Sequence, residues 1–191
     1  YGHSKLLFEQ MCNWLAETKG FKPTFLRYFN AAGQVEEYGM VEDHEPETHI
    51  IPNVLKVALG LSECVKIFGD DYPTPDGTCI RDYVHLKDLS GAHILALEKE
   101  ALGAYNLGTG KGISVKEIVD ACRKITGHPI PVEMHSRRPG DPPALYASGA
   151  KARQVMGWNP IFSDVETIIK DAWHAHQKWP NGYRDPKEFS R

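Results

Sequence analysis

Apolar residues along this chain recur at helical spacing in some stretches and in short continuous runs in others, and the two patterns take turns. Between residues 5 and 18, KLLFEQMCNWLAET sets Leu7, Met11, Trp14 and Leu15 on one helical face, and Gly20 follows as a stop. PTFLRYF (23–29) predicts a strand, IPNVLKVALG (51–60) a helix, VKIFG (65–69) a short strand and CIRDYVH (79–85) another. Helices are predicted at 86–100, 114–126, 148–157 and 163–179, with strands AYNLG (104–108) and IPVEMH (130–135) among them. The segment SVKE, Ser114 to Glu117, fits a capping box, which fixes one helix start. Strands and helices in alternation predict α/β architecture. No internal repeat or low-complexity tract interrupts the pattern, and the polar tail NGYRDPKEFSR (181–191) is expected to fray.

Composition narrows the class. A chain of 191 residues, 41% hydrophobic and 25% charged, can bury a sizeable core and reads as one domain or one and a half. With 22 Lys plus Arg against 25 Asp plus Glu, the formal charge of -3 leaves no basic surplus to neutralise a phosphate backbone, so nucleic acid is not expected as a partner. No stretch approaches the roughly 18 apolar residues of a membrane span, and nothing at the start resembles a signal peptide. Cys12, Cys64, Cys79 and Cys122 show no CxxC pairing and no His at metal-ligand spacing, which predicts a reducing compartment, the cytosol, and no metal centre.

Few motifs carry chemistry. LGTGKG, Leu107 to Gly112, lies between a strand and a helix, yet it places Lys111 too near the glycines for a phosphate loop and its third glycine one position early for GxGxxG. It reads as a tight strand-to-helix turn. The acidic stretch VEDHEPET (41–48) reads as solvated, and His174 and His176, two apart on a helix, do not share a face. In YGHSK, Tyr1 and Lys5 stand at i and i+4, so an ammonium can favour ionisation of a phenol that is otherwise a poor base at neutral pH. Such a pair suits proton transfer at a sugar or alcohol hydroxyl, although the same spacing is common as a plain surface contact.

Taken in order, YGHSK, LRYFNAAG (26–33), HIIPNVLKVALG (49–60), VKIFGDDYPTPDGTCIRDYVHLKDL (65–89), AYNLGTGKGISV (104–115) and RRPGDPPALYA (137–147) give a chain that strongly resembles the UDP-glucose 4-epimerase family of the extended short-chain dehydrogenase/reductase superfamily. YxxxK and RYFN mark the superfamily; the run from Val65 to Leu89 is more specific to the epimerases. The resemblance covers nearly the whole chain. It implies an α/β fold made of the C-terminal part of an NAD-binding Rossmann-type domain, residues 1–33, and a smaller substrate domain, mainly 34–180, with some segments returning to the Rossmann sheet. The family's glycine-rich pyrophosphate turn precedes YxxxK, so the chain is expected to be a C-terminal portion, inactive alone.

Site residues carry over one at a time. The resemblance makes Tyr1 the catalytic base and Lys5 its partner, which also bonds the nicotinamide ribose. Phe29 meets nicotinamide and sugar, and Asn30 the diphosphate. His49 and Ile50 line the nucleotide site, and Lys66, Ile67 and Phe68 flank the uracil. Arg81, Arg138 and Asp141 hold diphosphate and ribose, although Arg81 beside Asp82 could instead form a surface ion pair. Leu145 borders the sugar's 2-substituent, with core packing as the competing reading. The implied reaction is oxidation of the sugar C4 by NAD, rotation of the 4-keto sugar, and re-reduction on the opposite face, interconverting UDP-glucose and UDP-galactose in a homodimer. A nucleotide-sugar dehydratase or decarboxylase, or an inactive UDP-sugar-binding remnant, are the alternatives.

Overall fold

A computed structural model describes residues 2–184. The chain opens on helix α1 (Gly2–Lys19), closed where Gly20 takes a positive φ of 68°. The predicted strand over 23–29 then divides into β1 (Thr24–Tyr28) and β2 (Asn30–Ala32). The cause is a change of partner. Strand β1 pairs in parallel with β6 (Gly103–Leu107), whereas β2 pairs in parallel with β5 (Tyr83–His85). Phe29 is the crossover. The predicted strand over 79–85 divides for the same reason: β4 (Ile80–Arg81) pairs antiparallel with β7 (Ile113–Ser114) and parallel with β9 (Ala144–Leu145), and Asp82 alone separates it from β5. Apolar patterning reports burial, not partner identity, so neither break was legible.

Helices arise where predicted: α2 (Ile50–Ala58), α3 (Leu86–Glu98), α4 (Val115–Thr126), α5 (Ala150–Met156) and α6 (Val165–Lys178). Helix α4 starts on the expected capping box, Ser114 Oγ accepting from Glu117 N at 3.0 Å while the Glu117 carboxylate accepts from Ser114 N at 2.7 Å. Strand β3 (Val65–Phe68) runs parallel to β8 (Val132–His135). Two cores result. One packs α3 and α5 against β1 and β6 through Leu89, Ala92, Tyr105, Leu107, Met156 and Trp158. The other packs α2, α4 and α6 around Val54, Leu55, Ile118, Ile168 and Ile169, with β3 and Ala32 beside them.

Helix α1 departs from expectation. Leu7, Met11, Trp14 and Leu15, the residues that mark its apolar face, are 58%, 56%, 61% and 47% exposed, and only Cys12 is buried. The face has nothing to pack against among the described residues.

The first turn of α3 anchors the segment after α5. Asp88, 5% exposed, accepts from Ile161 N and Phe162 N, each at 3.0 Å, and from Ser163 Oγ at 2.5 Å, while its carbonyl accepts from Trp158 Nε1 at 2.9 Å. Ser163 Oγ in turn accepts from His85 N at 2.9 Å. Removing the carboxylate leaves buried donors unmatched, which costs about 1–3 kcal/mol per group. Asp88→Ala is therefore expected to lower unfolding free energy by about 3 kcal/mol, read from the urea midpoint at constant m-value. A loss below about 1 kcal/mol would mean that water replaces the carboxylate at no cost.

Candidate functional site

Asp82, between β4 and β5, has no exposed surface. Its Oδ1 accepts from Thr109 N at 3.1 Å and Thr109 Oγ1 at 2.8 Å, and its Oδ2 from Ala147 N at 3.3 Å. Its carbonyl accepts from Asn30 N at 3.0 Å and Asn30 Nδ2 at 2.9 Å. One residue thus joins the end of β1–β2, the glycine loop and the segment after β9. It also holds the Asn30 amide in a single orientation.

The LGTGKG segment is a turn, as its spacing predicts. A β-carbon at Gly108 would collide with the Ala147 carbonyl, and one at Gly112 with Ile80, so both glycines are required by close packing of the loop against protein. Gly33, at the end of LRYFNAAG, has a φ of 71° and lies against the His85 ring, where any β-carbon would collide.

Around this framework Asn30, His49, Ile50, Lys66, Ile67, Phe68, Arg81, Arg138 and Asp141 line one cavity of about 540 Å3. The side chain of Ile67 belongs to the second core, so it backs the wall instead of reaching a ligand. Arg138 places its guanidinium 4.1 Å from the centre of the Phe68 ring, a cation–π pair at the mouth. Arg81 does not pair with Asp82. Its Nη2 donates to Asp141 Oδ1 at 2.9 Å, and its Nη1 donates to the carbonyls of Ile80 at 2.7 Å and Pro142 at 2.8 Å. These bonds use three of the five N–H donors of a guanidinium and leave Nε–H and one Nη2–H for a ligand. The two side chains are 12% and 31% exposed, so the pair is poorly screened and holds the 138–143 turn against β4.

Other predicted residues stand apart. Lys5 is exposed on α1 and Phe29 half-buried at the crossover, and neither borders the cavity. Leu145 is 46% exposed on β9, directly opposite Arg81 in register, and is also outside the lining; it is not core. Tyr1 lies outside the described residues, as do residues 185–191 of the tail.

Residues that sequence reasoning missed include Cys79 and Tyr83, which line the same cavity. Burial pushes the Tyr83 hydroxyl far above the ordinary phenol range, so it remains neutral and cannot serve as a base. The 41–48 stretch corrects an expectation: it is not simply solvated. The side chains of Glu42 and Glu47 are 20% and 4% exposed and both line the cavity. Among the described residues no helix is long and apolar enough to cross a membrane.

With this geometry established, the comparisons give the class. The model of the NAD dependent epimerase/dehydratase family matches residues 1–108, and the chain belongs to that family. A UDP-glucose 4-epimerase of Halalkalibacterium halodurans is 52% identical over 187 residues, covering 96% of this chain and 56% of that protein. A crystal structure of a UDP-glucose 4-epimerase, 52% identical, superposes with a TM-score of 0.89 over 96% of this chain and 57% of its own. A UDP-glucose 4-epimerase from Bifidobacterium longum in complex with NAD+ and UDP, 39% identical, gives a TM-score of 0.89 over 96% of this chain and 56% of its own. The chain spans little more than half the length of the relatives it matches.

The Asp82 network makes a local prediction. In Asp82→Asn, the neutral amide keeps one acceptor and loses the other, so amide exchange at Thr109 or Ala147 should quicken by at least about tenfold. Unchanged protection at both positions would show that the carboxylate does not hold these loops.

Proposed function

We propose that this chain supplies the nucleotide-sugar half of an NAD-dependent UDP-glucose 4-epimerase, which interconverts UDP-glucose and UDP-galactose at sugar C4 in galactose metabolism. The observation that carries this reading is the single cavity in which Asn30, His49, Ile50, Lys66, Phe68, Arg81, Arg138 and Asp141 meet. Its chemistry suits a nucleoside diphosphate. The uncommitted donors of Arg81, with Arg138 and the first-turn N–H groups of α2, which no side chain caps, can meet phosphate oxygens. The Phe68 ring, flanked by Arg138 and Lys66, offers a flat face for uracil, and the Asp141 carboxylate can accept from ribose hydroxyls. In this proposal the first core belongs to the NAD-binding domain, beginning with residues 1–33, and the second to the UDP-sugar domain.

NAD, when bound, supplies the oxidising and reducing equivalent at C4. Residues of this chain suit only its nicotinamide end, through Lys5 and Phe29. LGTGKG lacks the glycine spacing of a pyrophosphate-binding turn, so this proposal leaves that group to the glycine-rich turn that precedes YxxxK in the family. Tyr1 removes and returns the O4 proton, and the nearby Lys5 ammonium favours its phenolate. The exposed Leu7, Phe8, Met11 and Trp14 of α1 suit cover by the rest of the nucleotide-binding sheet and by the second subunit of a homodimer. Four cysteines without a disulfide fit the cytoplasm.

The test uses the protein in its longest natural form and follows conversion of UDP-galactose to UDP-glucose. Tyr1→Phe is expected to lower kcat by about two to four orders of magnitude and leave UDP affinity within about twofold. Arg81→Ala should weaken UDP binding by about 10- to 150-fold, the loss of a charged hydrogen-bonding group. If Tyr1→Phe keeps normal turnover, or Arg81→Ala binds UDP normally, the assignment fails.

Leu145 sets a second expectation, in which its side chain, beside Arg81, faces the sugar's 2-substituent. It leaves more room than Tyr and less than a small residue, so N-acetylhexosamine substrates should be accepted weakly. Leu145→Tyr should then shift the kcat/KM ratio of UDP-galactose over UDP-N-acetylgalactosamine upward by about 10- to 100-fold. An unchanged ratio removes Leu145 from the sugar pocket.

A further inference from the structure

Residues 41–49 form a strap between two cavities: the one described above and a second of about 550 Å3 bounded by His176, Trp179 and Gly182. Glu42 and Glu47 line both. From this strap four side chains bring donor atoms together. His49 Nδ1 lies 2.8 Å from Glu47 Oε1 and 3.2 Å from Glu42 Oε1, and His44 Nδ1 lies 3.5 Å from Glu42 Oε1 and 3.5 Å from Glu47 Oε2. All four donor atoms fall within 4.8 Å of one another.

The four nitrogen–oxygen separations, 2.8 to 3.5 Å, bracket the edge of a zinc tetrahedron. Zinc binds imidazole nitrogen and carboxylate oxygen at about 2.0–2.1 Å, so its ligand atoms stand about 3.3–3.4 Å apart. The donor set is equally selective: paired imidazoles disfavour calcium and magnesium, which take oxygen ligands, and suit zinc and its neighbours.

A second observation concerns charge. Neither carboxylate has an Arg or Lys partner among the described residues; the imidazoles alone face them. Two carboxylates confined together with no Arg or Lys beside them suit a divalent cation.

We propose that Glu42, His44, Glu47 and His49 form a structural site for a divalent transition-metal ion of the zinc class, tying the 41–49 strap to the N-terminus of α2. The site shares His49 with the large cavity, but it rests on the four donor atoms of the strap, and metal binding is read without turnover, so its failure and that of the epimerase reading are distinguishable. Its ligands come from eight consecutive residues, so closing it orders little additional chain. His49 directly precedes α2, so an ion here would fix the entry of a helix whose first turn lines the large cavity. The role is positional, not catalytic.

The experiment takes the untagged protein in its longest natural form, strips it with a chelator, and titrates Zn2+ against a chromophoric competitor. Co2+ is then substituted and its visible spectrum recorded. One Zn2+ per chain is expected, with the intense Co2+ absorption of a four-coordinate site. His44→Ala and Glu42→Gln should each weaken Zn2+ at least about 100-fold, beyond what losing an outer-shell partner costs. His44 is half exposed, so its removal leaves the cores intact, and an unchanged circular dichroism spectrum confirms folding. No saturable Zn2+ binding, a six-coordinate Co2+ spectrum, or equal affinity in both variants would overturn the site, the last by placing the ion on other residues.

Discussion

A carboxylate cut off from water has to be satisfied by the protein, and Asp82 meets that demand with three donors taken from two loops, at Thr109 and Ala147. Its carbonyl meanwhile binds Asn30 twice. Apolar packing tolerates sliding, whereas this arrangement does not, because any slip leaves a charged oxygen unpaired. The large cavity inherits its precision from that constraint. Arg81 precedes Asp82 by one residue, and its guanidinium bonds Asp141 in the 138–143 turn.

Strand exchange at Phe29 and at Asp82 follows from the same placement. Each core is built from elements far apart in sequence, and the chain passes between cores where β1 gives way to β2 and β4 to β5. Backbone groups at such passages have lost one partner and not yet gained the next. Asn30 N bonds the Asp82 carbonyl at one passage, so each break helps to satisfy the other. A cleft beside the second core, edged by strand ends and one helix N-terminus, is a natural place for an anionic ligand.

Much of this was legible in the chain. The capping box at Ser114 and Glu117 depends on contacts three residues apart, and local spacing is what a sequence displays directly. The glycine turn was legible because phosphate loops demand fixed intervals that LGTGKG breaks. Cavity residues such as Phe68 and Arg138 were reached through family resemblance, since nothing in their own neighbourhoods says that a ring and a guanidinium 70 positions apart will stack. Asp82 was passed over because RD beside an apolar run offers only an adjacent ion pair as the competing reading, and its partners lie 27 and 65 residues away. The apolar face of α1 was read correctly as apolar; that it is exposed depends on neighbours, not on its own period.

The buried carboxylates show two ways of holding an anion. Asp82 and Asp88 are ringed by backbone N–H groups, which are fixed dipoles and cannot be titrated away. Glu42 and Glu47 face each other, and imidazoles supply all their charged neighbours among the described residues. Fixed dipoles make a permanent structural joint, whereas imidazoles accept either a proton or a metal ion at the same nitrogen. The strap that carries Glu42 and Glu47 lines the cavity directly ahead of α2, so whichever cation it takes also sets the field at the helix end that faces the cavity. Asp82 is held by donors fixed in the backbone and a hydroxyl; the strap is held by groups whose charge depends on what they bind.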